Sequence, residues 1–296
     1  MPTFTVIITT YKRPSLLQRA INSVIVQSCN DFECIIINDE PGDNEVIQGM
    51  MNNLADSRFT LIKATANKGG NYCRNLGIEK AKGSYVAFLD DDDIWLPQKL
   101  EKHLKVHMDS CAHLVFSEYI ERWDDNSKPD RLVYGAREAK DIVAAMLKGK
   151  FSIGTTSSVT IQKACIKQKL FDENLISFQD WDAWISIAIK QKDIIFTKIH
   201  QPLLYFVQHG ADRTSTDIVK RRKGLEQILK KYSKFEHIKI FYVNELLNIE
   251  VLKANNIEAN SFFKKAYLLG KFFLYPPFWI NLYSLKRTGK FIFKDK

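Results

Sequence analysis

Tyr85 to Leu89 form an unbroken apolar run that passes directly into the aspartates Asp90, Asp91, Asp92 and Asp93 and then into Ile94-Trp95. A short run of this kind reads as a strand buried in a sheet. Its end delivers adjacent carboxylates to the edge of a core, where they repel one another and lose hydration unless a cation or hydrogen-bond donors compensate. A hard divalent ion held by one or two carboxylates, with water and phosphate oxygens at its other positions, meets that need. A solvated acidic turn capping the next helix is the plainer alternative.

The flanking sequence supplies the rest of the sheet. Phe4 to Thr9 is another apolar, β-branched run, followed by a polar turn and a helical pattern through Leu16, Leu17, Ala20, Ile21 and Val24. Phe32 to Ile37 predicts a buried strand ending at Asn38-Asp39, Phe59 to Lys63 a weaker one, and Asn75 to Ala81 a helix ended by Gly83. Strands alternating with helices predict an α/β fold with a mainly parallel central sheet flanked by helices. In such sheets ligands lie at the carboxyl ends of the strands, so the polar clusters after Thr9, Ile37 and Leu89 are expected to line one crevice. Strand-like patterning resumes at Leu114 to Phe116 and at Thr155 to Ile161, with a polar loop at Trp123 to Asp130, and Trp181 to Ile189 reads as a helix. After Ser215 the pattern turns helical, through Ile218 to Tyr232 and Phe241 to Ala254, which predicts one domain over 1–215 and a helical C-terminal extension over 216–296.

With 45% hydrophobic and 26% charged residues, the composition is that of a folded globular chain and excludes a disordered one. The net charge is +9, of which +7 lies from Ala259 to the end. A uniformly basic surface would suggest nucleic acid, whereas a local excess interleaved with aromatics suggests an anionic membrane surface. Phe272 to Leu285 carries those aromatics around Pro276-Pro277, and fits either headgroup contact or the packing of a helical pair. No window approaches the ~18 to 20 apolar residues of a spanning helix. Five cysteines without a CxxC pair, and a start lacking the basic-then-apolar secretory pattern, fit a reducing cytoplasm.

The segments Thr9-Thr10-Tyr11-Lys12-Arg13-Pro14, Ile37-Asn38-Asp39, Asn67-Lys68-Gly69-Gly70 with Cys73-Arg74-Asn75, Gly83-Ser84-Tyr85, and Phe88-Leu89-Asp90-Asp91-Asp92-Asp93-Ile94-Trp95 resemble, in order, the motifs of family 2 glycosyltransferases with the GT-A fold. The resemblance is close over about the first hundred residues and looser in the middle region. It implies a nucleotide-sugar-binding half over 1–115 and an acceptor-binding half over 116–215. Thr9 and Tyr11 would line a uracil pocket, Asp39 would accept a hydrogen bond from the uracil N–H, and Arg74 would fix the nucleotide or its phosphates. Arg13, Asn67, Gly69, Asp90 and Asp91 would complete the nucleotide-sugar site. Asp90 and Asp92 match the ends of the family's DxD motif and would hold manganese or magnesium. The same residues admit plainer readings: Thr10 to Pro14 as a helix-capping loop, Asp39 as an Asx-turn residue, Gly69-Gly70 as a turn, and Arg74 as a surface helix residue.

Phe178-Gln179-Asp180-Trp181-Asp182 resembles the family's Glu-Asp motif that supplies the catalytic base. Gln179 stands where Glu is usual, which leaves Asp180 as the matching base; capping of the next helix is the alternative. His209, within Tyr205 to Ser215, resembles a downstream basic and polar loop and is a candidate for the metal or diphosphate, with Arg213 as the other choice. Phe206 departs from that loop's pattern, which commonly has a basic residue there. His103 and His107 stand four apart without a third ligand and are expected on a solvated helix face.

The implied reaction is inverting transfer of a sugar from a UDP-sugar to a saccharide hydroxyl. The implied acceptor is lipid-linked, in bacterial O-antigen, capsule or other surface-polysaccharide synthesis. The protein would be cytoplasmic and peripheral on the inner face of the cell membrane, without a nucleic-acid partner. Two rivals remain. A sugar-nucleotide nucleotidyltransferase would open with a Gly-rich loop after the first strand, and Thr10 to Pro14 has no Gly. A non-enzymatic basic membrane or nucleic-acid binding protein leaves the strand-end carboxylates without a use.

Overall fold

The computed structural model describes residues 1–134, 141–209 and 217–255. Along the chain come β1 (Phe4–Thr10), α1 (Pro14–Ile25), β2 (Phe32–Asn38), α2 (Asn44–Leu54), β3 (Phe59–Lys63), α3 (Gly70–Lys80), β4 (Tyr85–Asp90), β5 (Ile94–Trp95), α4 (Lys99–Asp109), β6 (Leu114–Trp123), β7 (Arg131–Val133), α5 (Ile142–Leu147), β8 (Val159–Gln162), α6 (Gln179–Lys190), β9 (Phe196–Gln208), α7 (Ile218–Lys231) and α8 (Ile238–Asn255). The apolar runs at Phe4, Phe32, Phe59 and Tyr85 are strands as expected. The helix expected from Asn75 begins five residues earlier, at Gly70, because Gly69 takes φ +87° as its N-cap and lets the chain turn straight into it.

The sheet runs in the order β3-β2-β1-β4-β8-β6-β9-β5, with β7 paired to β6. β3, β2, β1 and β4 are mutually parallel, and β6 and β9 run in the same direction as these; β8, β5 and β7 run against them. β1 lies between β2 and β4, with Thr9 opposite both Ile37 and Asp90. The chain thus leaves β1 through α1 to one side and returns through α3 to the other. A crevice opens outside the carboxyl ends at such a switch point.

Helices cover both faces of the parallel part. Alternate residues of β1, Phe4, Val6 and Ile8, pack with Leu17, Ile21 and Val24 of α1 and Ile47 of α2. Burial of each such side chain is worth roughly 1.5–3 kcal/mol. On the opposite face α3 approaches so closely that a Cβ at Gly77 would come within 2.6 Å of Ile7 Cγ2. Gly83 has a similar role before β4: a Cβ there would lie 2.5 Å from the Phe4 carbonyl carbon and the Thr5 nitrogen.

The face of α4 turned toward β8 corrects an expectation. His103 and His107 are buried, not solvated. His107 Nδ1 lies 2.8 Å from the Ala112 carbonyl and must donate to it, so its Nε2 accepts the Thr160 hydroxyl at 2.8 Å. The Thr160 oxygen then accepts from His103 Nδ1 at 2.9 Å, and His103 Nε2 accepts from Lys99 Nζ at 3.1 Å. Every ring nitrogen is satisfied without a charge on either imidazole, and that is what permits their burial. Burial drives the Lys99 and His103 values well below their usual ranges and His107 down to about 4.

The chain divides into two compact units. The first comprises 1–143, 151–174 and 179–210 and carries the sheet. The second includes 144–150, 175–178 and the helices α7 and α8. Within it Asp217 caps α7 by accepting from the amides of Val219 and Lys220, and Arg221 pairs with Glu245 of α8 at 2.6 Å. No helix of the described residues is long and apolar enough to cross a membrane.

Candidate active site

The Asp90–Asp93 segment follows β4 as a tight turn, in which the Asp93 amide donates to the Asp90 carbonyl at 3.1 Å. The turn sends adjacent side chains to separate partners. Asp90 pairs with Arg74 of α3 at 2.6 Å. Asp91 turns inward, where it accepts the Thr10 hydroxyl at 2.7 Å and lies 2.8 Å from Arg13, close enough for an ion pair though out of line for a hydrogen bond. Asp92 meets Arg13 at 3.0 Å and His209 Nε2 at 2.9 Å. Asp93 is buried, with Oδ1 accepting the Val207 amide at 3.2 Å and Oδ2 without a hydrogen-bond partner.

Ligand atoms of Asp90, Asp92 and Asp93 lie within 4.8 Å of one another. Burial pushes the Asp91 carboxyl up to about 7, against the opposing pull of Arg13, and raises Asp93 well above the carboxylate range. This donor set suits a hard divalent cation: the ligands are oxygens, and one of them is a buried carboxylate oxygen with no hydrogen bond. Asp92 and Asp90 are the residues expected from the DxD pattern. Asp93 was not among them, although it completes the same acidic run; only the backbone turn reveals that the fourth side chain returns toward the first. His209 reaches the cluster through Asp92, and Arg213 lies outside the described residues.

The turn is braced from the segment that leads into β8. The Asp90 amide donates to Ser157 Oγ at 3.0 Å, Trp95 Nε1 to the Ser157 carbonyl at 2.9 Å, and Lys99 Nζ to the Ser158 carbonyl at 3.0 Å. The single 3₁₀ turn at Thr156–Ser158 therefore fixes where β4 ends. No motif marks these serines, because their contribution is carried mostly by backbone carbonyls.

Asp180 lies in the first turn of α6, and its carboxylate accepts the Trp181 amide at 2.8 Å. Burial raises its pKa, opposed by the Trp181 amide and by Arg74, which also holds Asp90. Asp182, two residues on, is buried. Residues two apart on a helix point about 200° apart, so the two carboxylates face different surroundings.

At the far side of β1 are the residues expected at the nucleotide. Tyr11 is 40% exposed just beyond the strand, and Thr9 is half-buried opposite Asp90. Asp39 is buried, and its two oxygens accept the Lys68 and Gly69 amides, each at 2.8 Å. Its carboxylate thus anchors the loop that carries exposed Asn67 and leads into α3.

The family model for "Glycosyl transferase family 2" matches residues 5–165. An uncharacterized glycosyltransferase of Methanocaldococcus jannaschii is 30% identical over 232 residues, covering 75% of this chain and 76% of that one. A putative colanic acid biosynthesis glycosyl transferase of Escherichia coli, WcaA, is 30% identical over 192 residues, covering 64% and 67% respectively. Among solved structures, Staphylococcus aureus TarS 1–349 in complex with UDP-GlcNAc superposes with a TM-score of 0.58 at 15% identity, covering 98% of this chain and 81% of that one. A mannosyltransferase of Pyrobaculum calidifontis in complex with GDP-Man and Mn2+ gives 0.58 at 16% identity, covering 100% and 88%. At such identities the structural likeness establishes the GT-A fold.

Proposed function

The chain belongs to glycosyl transferase family 2, and from that premise we propose that it moves a sugar from a UDP-sugar to a hydroxyl of a saccharide acceptor, with inversion at the anomeric carbon. The observation that carries this reading is the gathering of Asp90, Asp92 and Asp93 at the end of β4, where Arg74 of α3 pairs with Asp90. A nucleotidyltransferase and a non-enzymatic binding protein, the rivals raised by the sequence, give way to a glycosyltransferase.

Asp92 and Asp90 would hold a divalent ion, with Asp93 and His209 beside them. Bound there, manganese or magnesium would supply positive charge that offsets the charge developing on the departing diphosphate. Thr9, Tyr11, Asn67, Gly69 and the loop anchored by Asp39 would receive the nucleotide, and Arg13 and Arg74 its phosphates. Asp180 would take the proton of the acceptor hydroxyl as the oxygen attacks the anomeric carbon. Burial suits it to this task, because a carboxylate of raised pKa is a stronger base. Attack from the face opposite UDP inverts the configuration.

A lipid-linked acceptor in surface-polysaccharide assembly, and peripheral residence on the cytoplasmic face of the membrane, complete the proposal. The relative named for colanic acid biosynthesis supports the first, and the basic, aromatic C-terminal sequence supports the second. Proton NMR of the product tests the reaction course. A UDP-α-sugar should give a β-linked product, and an α-linked product would overturn single displacement.

A further inference from the structure

We infer that Asp91 is a positioning residue: its buried carboxylate holds the Arg13 guanidinium beside Asp92, where that guanidinium meets the donor's diphosphate. The inference rests on the nucleotide-sugar reading of the site and reassigns one carboxylate within it. The side chain of Asp91 is 0% exposed, so a donor arriving from solvent cannot reach it. Its contacts run to the protein instead, to the Thr10 hydroxyl and to Arg13. Arg13 is still 29% exposed, and its NH1 lies 3.0 Å from Asp92 Oδ2 and 3.5 Å from His209 Nε2. It therefore bridges the buried carboxylate and the exposed edge of the cluster.

The backbone brings this pair together. Lys12 adopts φ +57°, in the left-handed region, so the chain folds back between β1 and α1. Arg13 follows as the N-cap residue of α1, with Pro14 next and no side-chain cap bond, which leaves its side chain for the aspartates. Thr10, the last residue of β1, fixes the other oxygen of Asp91 from the neighbouring strand.

Burying a carboxylate with its ion-pair partner seldom adds stability over an apolar pair of the same shape. A carboxyl group kept inside at position 91, between Thr10 and Arg13, is therefore best explained by where it holds Arg13. Without it, the guanidinium keeps Asp92 as its nearest carboxylate and competes there with a metal ion and its phosphate ligands. With it, the cation is shared between the two aspartates and stays available to an incoming anion.

A double-mutant cycle read by calorimetric UDP binding in the presence of Mn2+ tests this. Arg13→Ala is expected to weaken UDP binding roughly tenfold or more, the scale of one charge-assisted contact. Asp91→Asn should weaken it by a similar factor in the wild-type background and by little in the Arg13→Ala background. A purely structural role for Asp91 predicts equal losses in both backgrounds, and that result, or unchanged affinity in Asp91→Asn, would overturn the inference. If Asp91→Asn does not fold, Thr10→Val releases the same carboxylate from the strand and carries the same cycle, with an Arg13-dependent loss supporting the inference and any other result contradicting it. Failure of the wild-type protein to bind UDP or GDP would instead defeat the nucleotide reading, and the inference with it.

Discussion

Neighbouring aspartates in the 90–93 turn are chemically identical, and what separates them is the partner each one faces. Asp92 faces Arg13 and His209 at the edge of the cluster, so Asp92→Asn removes charge there at constant volume. We expect turnover to fall by at least ~10²-fold with the unfolding midpoint nearly unchanged, as for loss of a transition-state contact. Near-normal turnover would remove Asp92 from the metal site. The pair on α6 divides in the same way. Asp180→Asn should lower kcat by roughly 10²-fold or more with donor affinity nearly intact. Asp182 is buried, so Asp182→Asn should lower stability before it lowers kcat. A collapsed kcat for Asp182→Asn beside a normal one for Asp180→Asn would transfer the role of base. Residue types and their order were enough to nominate most of this set. They could not show that Asp91 points inward or that both oxygens of Asp39 are engaged by the Lys68-Gly69 loop, because those facts depend on turn geometry.

Elements with unmixed apolar runs, β1, β2 and β4, are plain in the sequence because they are buried on both faces. Three others are obscured for physical reasons. α2 buries Ile47 alone, with Met51 and Leu54 only partly covered, and Gly49 and Asn52-Asn53 interrupt its helical pattern. β9 contains His200-Gln201-Pro202, which breaks a strand pattern, and its pairing with β6 is shifted around Glu118. α4 hides its inner face behind Lys99, His103 and His107, residue types that usually mark a solvated surface. That network carries a pH prediction. The His107 value is held at about 4 in the fold, against about 6.5 when unfolded. Between those values the unfolded chain takes up a proton that the fold excludes. Its stabilising effect is full above pH ~6.5 and is lost as the pH falls toward 4, on the order of 3 kcal/mol in all. Urea midpoints measured across that range should fall more steeply for the wild type than for His107→Gln. Equal slopes would place the titration elsewhere.

At the scale of the whole chain, the order of motifs along the first hundred residues identified the family and the fold, since motif order fixes which strand ends are neighbours. The C-terminal sequence is a different matter. Arg213, Phe272 to Leu285 and the +7 segment lie outside the described residues, so their role is argued from sequence. Removing the chain from Phe272 onward should weaken sedimentation with anionic liposomes while UDP binding persists, because aromatics and lysines together favour the headgroup region. Equal sedimentation of both forms would count against membrane contact, and an unfolded truncation would favour packing. The most direct test of the central claim is UDP release from a panel of nucleotide sugars with a lipid-linked saccharide acceptor, measured with Mn2+ and again with EDTA. Acceptor-dependent UDP release from at least one donor, abolished by EDTA and restored by Mn2+, is the predicted result; release undiminished by EDTA, or none from any UDP-sugar, would contradict it.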